Sequence, residues 1–249
     1  MLKGRRILLA GVTSVVGAAV LRLLSSQGAN VAFAGRDDFN GMHLSDASSS
    51  YLVSTDYGQQ DPWTSAVAKA LAELGGIDGL VIATGSSLAL RLSQTSDQDW
   101  DAMIGENLVA PFLITRACLS ALGESRGAVV HIGSGVAEWP ELELGAYSVA
   151  MRSLTWMSRM FAVEGAMHGV RVNCVQHGEL GHPVTEMLRQ PPLHAAATPL
   201  PPMGRKTTPG DIASAVAYLL SDEAGQCCGS TVLIDGGLRA ALRANKVRQ

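Results

Sequence analysis

Short runs of β-branched and other apolar residues, each closing on small or polar positions, alternate along the chain with longer segments whose apolar positions recur at helical spacing. The runs predict seven strands, at Arg5–Ala10, Asn30–Ala34, Tyr51–Ser54, Gly79–Ala83, Ala128–Ile132, Arg171–Val175 and Thr231–Ile234. The periodic segments predict helices at Val15–Gln27, Pro62–Leu74, Asp97–Leu122, Ala146–His168 and Pro209–Ser221. Asp97 and the Thr208-Pro209 pair are start signals, because an acceptor side chain caps free amides and proline fits the first turn. Strand and helix in strict alternation predict a doubly wound α/β Rossmann fold, with seven mostly parallel strands in one unit over residues 1–249.

Two segments depart from the alternation. Between Arg36 and Tyr51 the stretch is polar and serine-rich, so any helix there is short or absent. Between Gln190 and Gly204 sit five of the ten prolines, which excludes regular helix. In such sheets ligands lie beyond the carboxyl ends of the strands, so residues 183–204 are read as a substrate flap, with a surface loop of no special role as the alternative.

Composition narrows the partners. Net charge is -3 and the 19 Lys and Arg are scattered, which leaves no electrostatic footprint for nucleic acid or an anionic membrane; a small molecule is the expected partner. Lys3, Arg5 and Arg6 precede an apolar stretch in the order of a signal peptide, but Gly11, Thr13, Ser14 and Gly17 punctuate it and it reads as strand, turn and helix. No apolar run approaches the ~18 residues of a membrane span. Cys118, Cys174, Cys227 and Cys228 form neither a CxxC pair nor a zinc spacing, so they are read as reduced thiols of a cytoplasmic protein.

The first strand runs into Gly11-Val12-Thr13-Ser14-Val15-Val16-Gly17 and then a helix, where backbone amides and the helix dipole receive a pyrophosphate. Arg36 closes the second strand, and a guanidinium there forms a fork with a 2′-phosphate, which favours NADP(H); Asp37 beside it keeps NAD(H) open. From these residues to Asp235-Gly236-Gly237 the chain resembles the short-chain dehydrogenase/reductase family. The resemblance places Asp56 at the adenine, puts Ile82-Ala83-Thr84-Gly85 at the family's Asn-Asn-Ala-Gly turn, and sets Asn107, Ser134 and Tyr147 at catalytic positions. It gives Gly11, Thr13, Ser14, Val16, Gly17, Gly85 and Gly178 to the cofactor. It also implies a homodimer or homotetramer, with the two long helices as dimer faces.

The departures are as informative. Val15 stands for the middle glycine of the phosphate turn, His177 for the proline before Gly178, and His182 for a threonine that touches the nicotinamide. The family's Tyr-x-x-x-Lys reads Tyr147-Ser148-Val149-Ala150-Met151, so the lysine that lowers the phenol pKa is replaced by Met151. Bringing a phenol from about 10 to about 7 takes roughly 4 kcal/mol, and Arg152 points about 100° away on a helix. A neutral Tyr147 still donates a proton, so reduction suffers less than oxidation.

His177, His182, Glu138 and Glu179 are candidate acids or bases, or simply solvated side chains; His131, Cys174, Met157 and Met160 read as structural, and Met151, Met157, Met160 and Met167 as filling one helix face. The favoured reading is an NADP(H)-dependent reductase of a carbonyl or conjugated carbonyl on a small organic substrate. The alternatives are a non-redox enzyme of the same fold (isomerisation, dehydration or cyclisation) and a catalytically degenerate binding or assembly subunit; NAD(H) or no cofactor at all is the alternative to NADP(H).

Overall fold

The computed structural model describes residues 1–12, 14–35, 50–54, 62–181 and 200–241. Seven strands form one sheet: β1 (Arg6–Ala10), β2 (Asn30–Gly35), β3 (Ser50–Ser54), β4 (Gly79–Ile82), β5 (Ala128–Ser134), β6 (Arg171–His177) and β7 (Thr231–Ile234). Their order is β3-β2-β1-β4-β5-β6-β7, and every neighbouring pair is parallel. From β1 the chain winds outward through β2 and β3, then returns and winds the other way from β4. The crevice where that direction reverses, between the carboxyl ends of β1 and β4, is where such sheets receive ligands.

Successive residues of a strand face opposite sides, and both sides here are covered. Ile7 and Leu9 of β1 meet α1 (Val15–Ser26) and α6 (Pro209–Leu220), through Val16, Val20, Ile212 and Val216. Leu8 and Ala10 face α2 (Pro62–Leu74), α4 (Ala110–Ser125) and α5 (Gly145–Ala166), with Trp63, Val67, Ile114, Cys118 and Phe161. Each fully buried Leu or Ile contributes about 1.5–3 kcal/mol, so this two-sided core is what holds the strand ends in register. The start of α6 carries a full capping box: Thr208 and Asp211 satisfy each other's amides, and Arg205 clamps the Asp211 carboxylate, holding its pKa well below the usual range.

Three differences from the expected elements bear on the site. First, β5 and β6 run two residues further than predicted, to Ser134 and His177, because Gly133 and Gln176 continue the ladder. Second, the single helix expected over 97–122 is two helices, α3 (Asp97–Ile104) and α4, joined by a π-helical turn at Gly105–Val109. Third, Met160 and Met167 are exposed rather than core-filling, because α5 turns that face away from the sheet. Helix α4 ends at Ser125 on Arg126, which adopts a left-handed φ of 51°. By length and composition the helical run 97–125 would cross a bilayer, but its Ile114, Cys118 and Leu122 are buried in the core.

Candidate active site

Ser134 is the last residue of β5 and caps a short 3-10 turn, its Oγ accepting from Val136 N at 3.5 Å. Tyr147 lies in the first turn of α5. That helix starts where it does because Gly145 presses on the backbone of Leu92, where a Cβ would collide, and Gly145 N donates to Leu90 O at 3.1 Å. The result brings Tyr147 near enough to Ser134 for the serine to act on its phenol. Burial pushes the Tyr147 phenol up to about 12; the Ser134 hydrogen bond pulls the other way and the Glu141 charge adds to the rise.

Among the described residues no cation offsets that burial. Met151 is 2 % exposed and sits in a small apolar cluster with Val136, Ala137 and Leu154, against which Tyr147 also packs. Arg152, one residue on, pairs with Glu138 instead. Glu138 also meets Arg239 at 3.9 Å, and Glu179 pairs with Lys206 at 2.9 Å, so both carboxylates hold loops rather than stand free.

Asn107 is buried in the π-helical turn. In that turn Ala110 N reaches back five residues to Gly105 O, and Asn107 Nδ2 donates to the Met103 carbonyl at 2.9 Å. The same amide donates to Ser86 O at 3.0 Å, and Asn107 Oδ1 lies where a Cβ on Gly85 would sit. Asn107 therefore latches the turn after β4 to the helix. Nothing in the sequence pattern announced the π turn that makes this possible.

The phosphate turn keeps its geometry at two glycines. Gly11 has φ +88°, and a Cβ there would strike the Ala83 carbonyl and the Thr84 amide; one on Gly17 would strike Gly11 O. Ser14 caps α1 by accepting from Gly17 N at 2.9 Å. Val16 is buried, and Val15 turns its side chain against the core cluster on the α1 side. Thr84 Oγ1, beside the Gly11 turn, is buried with no partner among the described residues, and Gly178 comes within 2.9 Å of Asp235 at its own missing Cβ. A glycine cradle and an orphaned hydroxyl at the switch point fit a dinucleotide. Thr13, Arg36, Asp37, Asp56, His182 and flap residues 183–199 lie outside the described residues. The end of the flap, residues 200–204, rests on the Gly236-Gly237 turn.

His131 is fully buried under the site. Its Nε2 lies 2.8 Å from Thr115 Oγ1 and its Nδ1 2.7 Å from Ser158 Oγ, and burial pushes it down to about 4, so it is structural as expected. Burial likewise pushes the Cys174 and Cys118 thiols up to about 12, which leaves them unreactive at neutral pH.

Residues 11–239 match a family described as enoyl-(acyl carrier protein) reductase. An acetoacetyl-CoA reductase of Shinella zoogloeoides is 31% identical over 92% of this chain and 96% of its own length. A mouse (Mus musculus) L-fucose dehydrogenase is 29% identical over 94% of this chain and 88% of its own length. Among solved structures, the crystal structure of gox2181 superimposes with a TM-score of 0.88 at 26% identity, covering 96% of this chain and 97% of that one.

Proposed function

The chain belongs to the short-chain dehydrogenase/reductase family, and from that premise we propose that it is an NADP(H)-dependent reductase of a carbonyl or conjugated carbonyl on a small organic substrate. It is an oxidoreductase of that family, whose members use a nicotinamide cofactor. When bound, that cofactor supplies the hydride. The choice of NADP(H) is supported by Arg36 at the end of the second strand.

One observation carries the direction: Tyr147 packs against the apolar cluster of Val136, Ala137, Met151 and Leu154, and that burial pushes its phenol up to about 12. Ser134 acts on the same phenol, and a neutral Tyr147 keeps its proton available for a carbonyl oxygen. A phenol is a competent donor to a developing alkoxide, whereas phenolate is only on the order of one part in 10⁵ at pH 7. The test is NADPH consumption against a panel of ketones, aldehydes and enones. Tyr147→Phe should lower turnover by roughly 10²–10⁴-fold, and unchanged turnover would remove Tyr147 as donor. Substrate conversion without NADPH consumption would favour the non-redox reading, which the apolar filling at Met151 also suits.

A second copy of the chain is the proposed macromolecular partner. Val109 of the π turn, Phe112 of α4 and Trp156 and Met160 of α5 are exposed around an open groove of about 650 Å³, and Val163 of α5 is exposed as well. Contiguous apolar surface of this kind is unusual on a monomer. All four cysteines are free, which supports a reducing, cytoplasmic setting.

A further inference from the structure

We propose that a cavity at the amino ends of the strands, between Arg5, Arg126 and Arg171, binds a phosphate dianion, either free or as the head group of a small phosphomonoester. The site lies on the sheet edge opposite the candidate active site. Strand β5 runs its seven residues from Ala128, in the cavity wall, to Ser134, a span of about 20 Å. The proposal does not depend on the reductase reading.

The parallel order of the sheet brings the three arginines together. Arg5 precedes β1, Arg126 follows α4 just ahead of β5, and Arg171 opens β6, so all three fall at one edge. With Gly127, Gly169 and Gly225 they line a cavity of about 230 Å³. One water takes about 30 Å³ of liquid, so a phosphate group with a short substituent has room.

Two of the cations lack what a structural arginine normally has. Arg171 is half-buried, and among the described residues its guanidinium donates to neutral carbonyls: Nη1 to Leu219 O at 2.8 Å and Cys227 O at 3.4 Å, Nη2 to Ser221 O at 3.0 Å. Burial lowers its pKa, the positive charge of Arg5 adds to the fall, and Asp222 offsets part of it, so Arg5 and Arg171 lie close enough to repel. Arg126 is the one non-glycine among the described residues with a left-handed φ, 51°. Glycine would end α4 there with less strain, so arginine stands against the local preference. Its stem rests on Gly169, whose missing Cβ would come within 3.1 Å of Arg126 Cγ. Its guanidinium is exposed and has no hydrogen bond or ion pair among the described residues.

Two carboxylates share the wall, and neither neutralises the site. Asp78 is saturated by Arg6, which donates to Oδ2 from its backbone N at 2.8 Å and from Nε at 3.0 Å, and to Oδ1 from Nη2 at 2.5 Å. Asp222 pairs with Arg5 from the solvent side, its side chain 86 % exposed. Counting Arg6, four arginines meet two aspartates, and the surplus matches the charge of a phosphate dianion. Guanidinium groups on separate walls also suit a tetrahedral set of oxygens, where a carboxylate offers one charge and one plane.

The test is amide NMR titration of the full chain with inorganic phosphate and, separately, with glycerol phosphate, at an ionic strength held constant with chloride. Saturable shifts are expected at the Gly127, Gly169 and Gly225 amides. Arg126→Gln and Arg5→Gln, whose own spectra report that each is folded, should each weaken binding at least roughly tenfold, as loss of one charged hydrogen bond does. Tighter binding of glycerol phosphate supports a phosphomonoester as the occupant, and equal binding supports free phosphate. Shifts that grow without saturating, or binding unchanged in either variant, overturn the proposal. Shifts confined to Gly11 and Gly17 also overturn it, since they put the anion at the turn after β1 instead.

Discussion

Acid should weaken this fold through one histidine. His131 sits at the centre of β5, fully buried, with its two nitrogens on Thr115 and Ser158. Those hydroxyls are also directed at helix carbonyls, Thr115 Oγ1 at Pro111 O and Ser158 Oγ at Leu154 O. A protonated ring would satisfy all four contacts and a neutral one only three, yet a buried imidazolium costs more than one hydrogen bond returns, and burial pushes the pKa from 6.5 to about 4. The sign follows from proton counts. Between pH 6.5 and 4 the unfolded chain holds this proton and the folded chain does not, so stability is full above 6.5 and falls as pH falls.

Worked through, the 6.5 and 4 values remove about 2–3 kcal/mol between pH 7.5 and 4.5, and on the order of 3 kcal/mol once pH lies well below 4. Urea unfolding of wild type and His131→Asn at both pH values isolates the effect. The carboxylates, Asp78 and Asp211 among them, contribute equally to both proteins and cancel in the difference. The variant should be less stable at pH 7.5 and lose about 2–3 kcal/mol less on acidification. Parallel pH dependences in the two proteins would refute the reasoning.

Other substitutions test other features. Met151→Lys buries an ammonium among Val136, Ala137 and Leu154 and should lower Tm by on the order of 5–10 °C, while bringing the Tyr147 phenol down from about 12 in a spectrophotometric titration; unchanged Tm would mean the cluster is not sealed. Gly11→Ala should cost at least about 3 kcal/mol in urea unfolding, because it combines a strained φ with a backbone collision, whereas Gly105→Ala, with open space around its Cβ, should be neutral or stabilising by about 0.5–1 kcal/mol. If the proposed self-association uses the exposed face of α5, Trp156→Asp should lower the assembly state in sedimentation; an unchanged assembly would place the contact elsewhere.

The layers of this fold were legible in the chain because each strand is a short apolar run and each helix an amphipathic one, and all seven strands lie where alternation puts them. Boundaries slipped where tertiary pairing outweighs local signal: β5 and β6 lengthen because each supplies the other's hydrogen bonds. The π turn was invisible, since Gly105-Glu106-Asn107-Leu108-Val109 carries ordinary helical residues and the extra residue is accommodated only once Asn107 reaches Met103 and Ser86. Of the candidate site, Ser134, Tyr147 and Gly11 were singled out by the family resemblance and its spacing. The register of Ser134 with His177 and the engagement of Glu138 and Glu179 in ion pairs did not, because they depend on which distant segments meet at the sheet's carboxyl edge.

The apolar filling around Met151 also matters to anyone screening this protein. A buried lysine would leave the empty cleft with a cation awaiting its counter-charge, and a ligand would then be rewarded for relieving it. With methionine there, the ligand-free molecule is already at rest, and the rise in melting temperature on adding a compound reflects only mass action. At a concentration 100 times Kd that amounts to about 2.7 kcal/mol, or a shift of roughly 5–10 °C, so a weak binder added near its Kd shifts melting by only a degree or two. Screens of this chain are better read by direct titration than by melting.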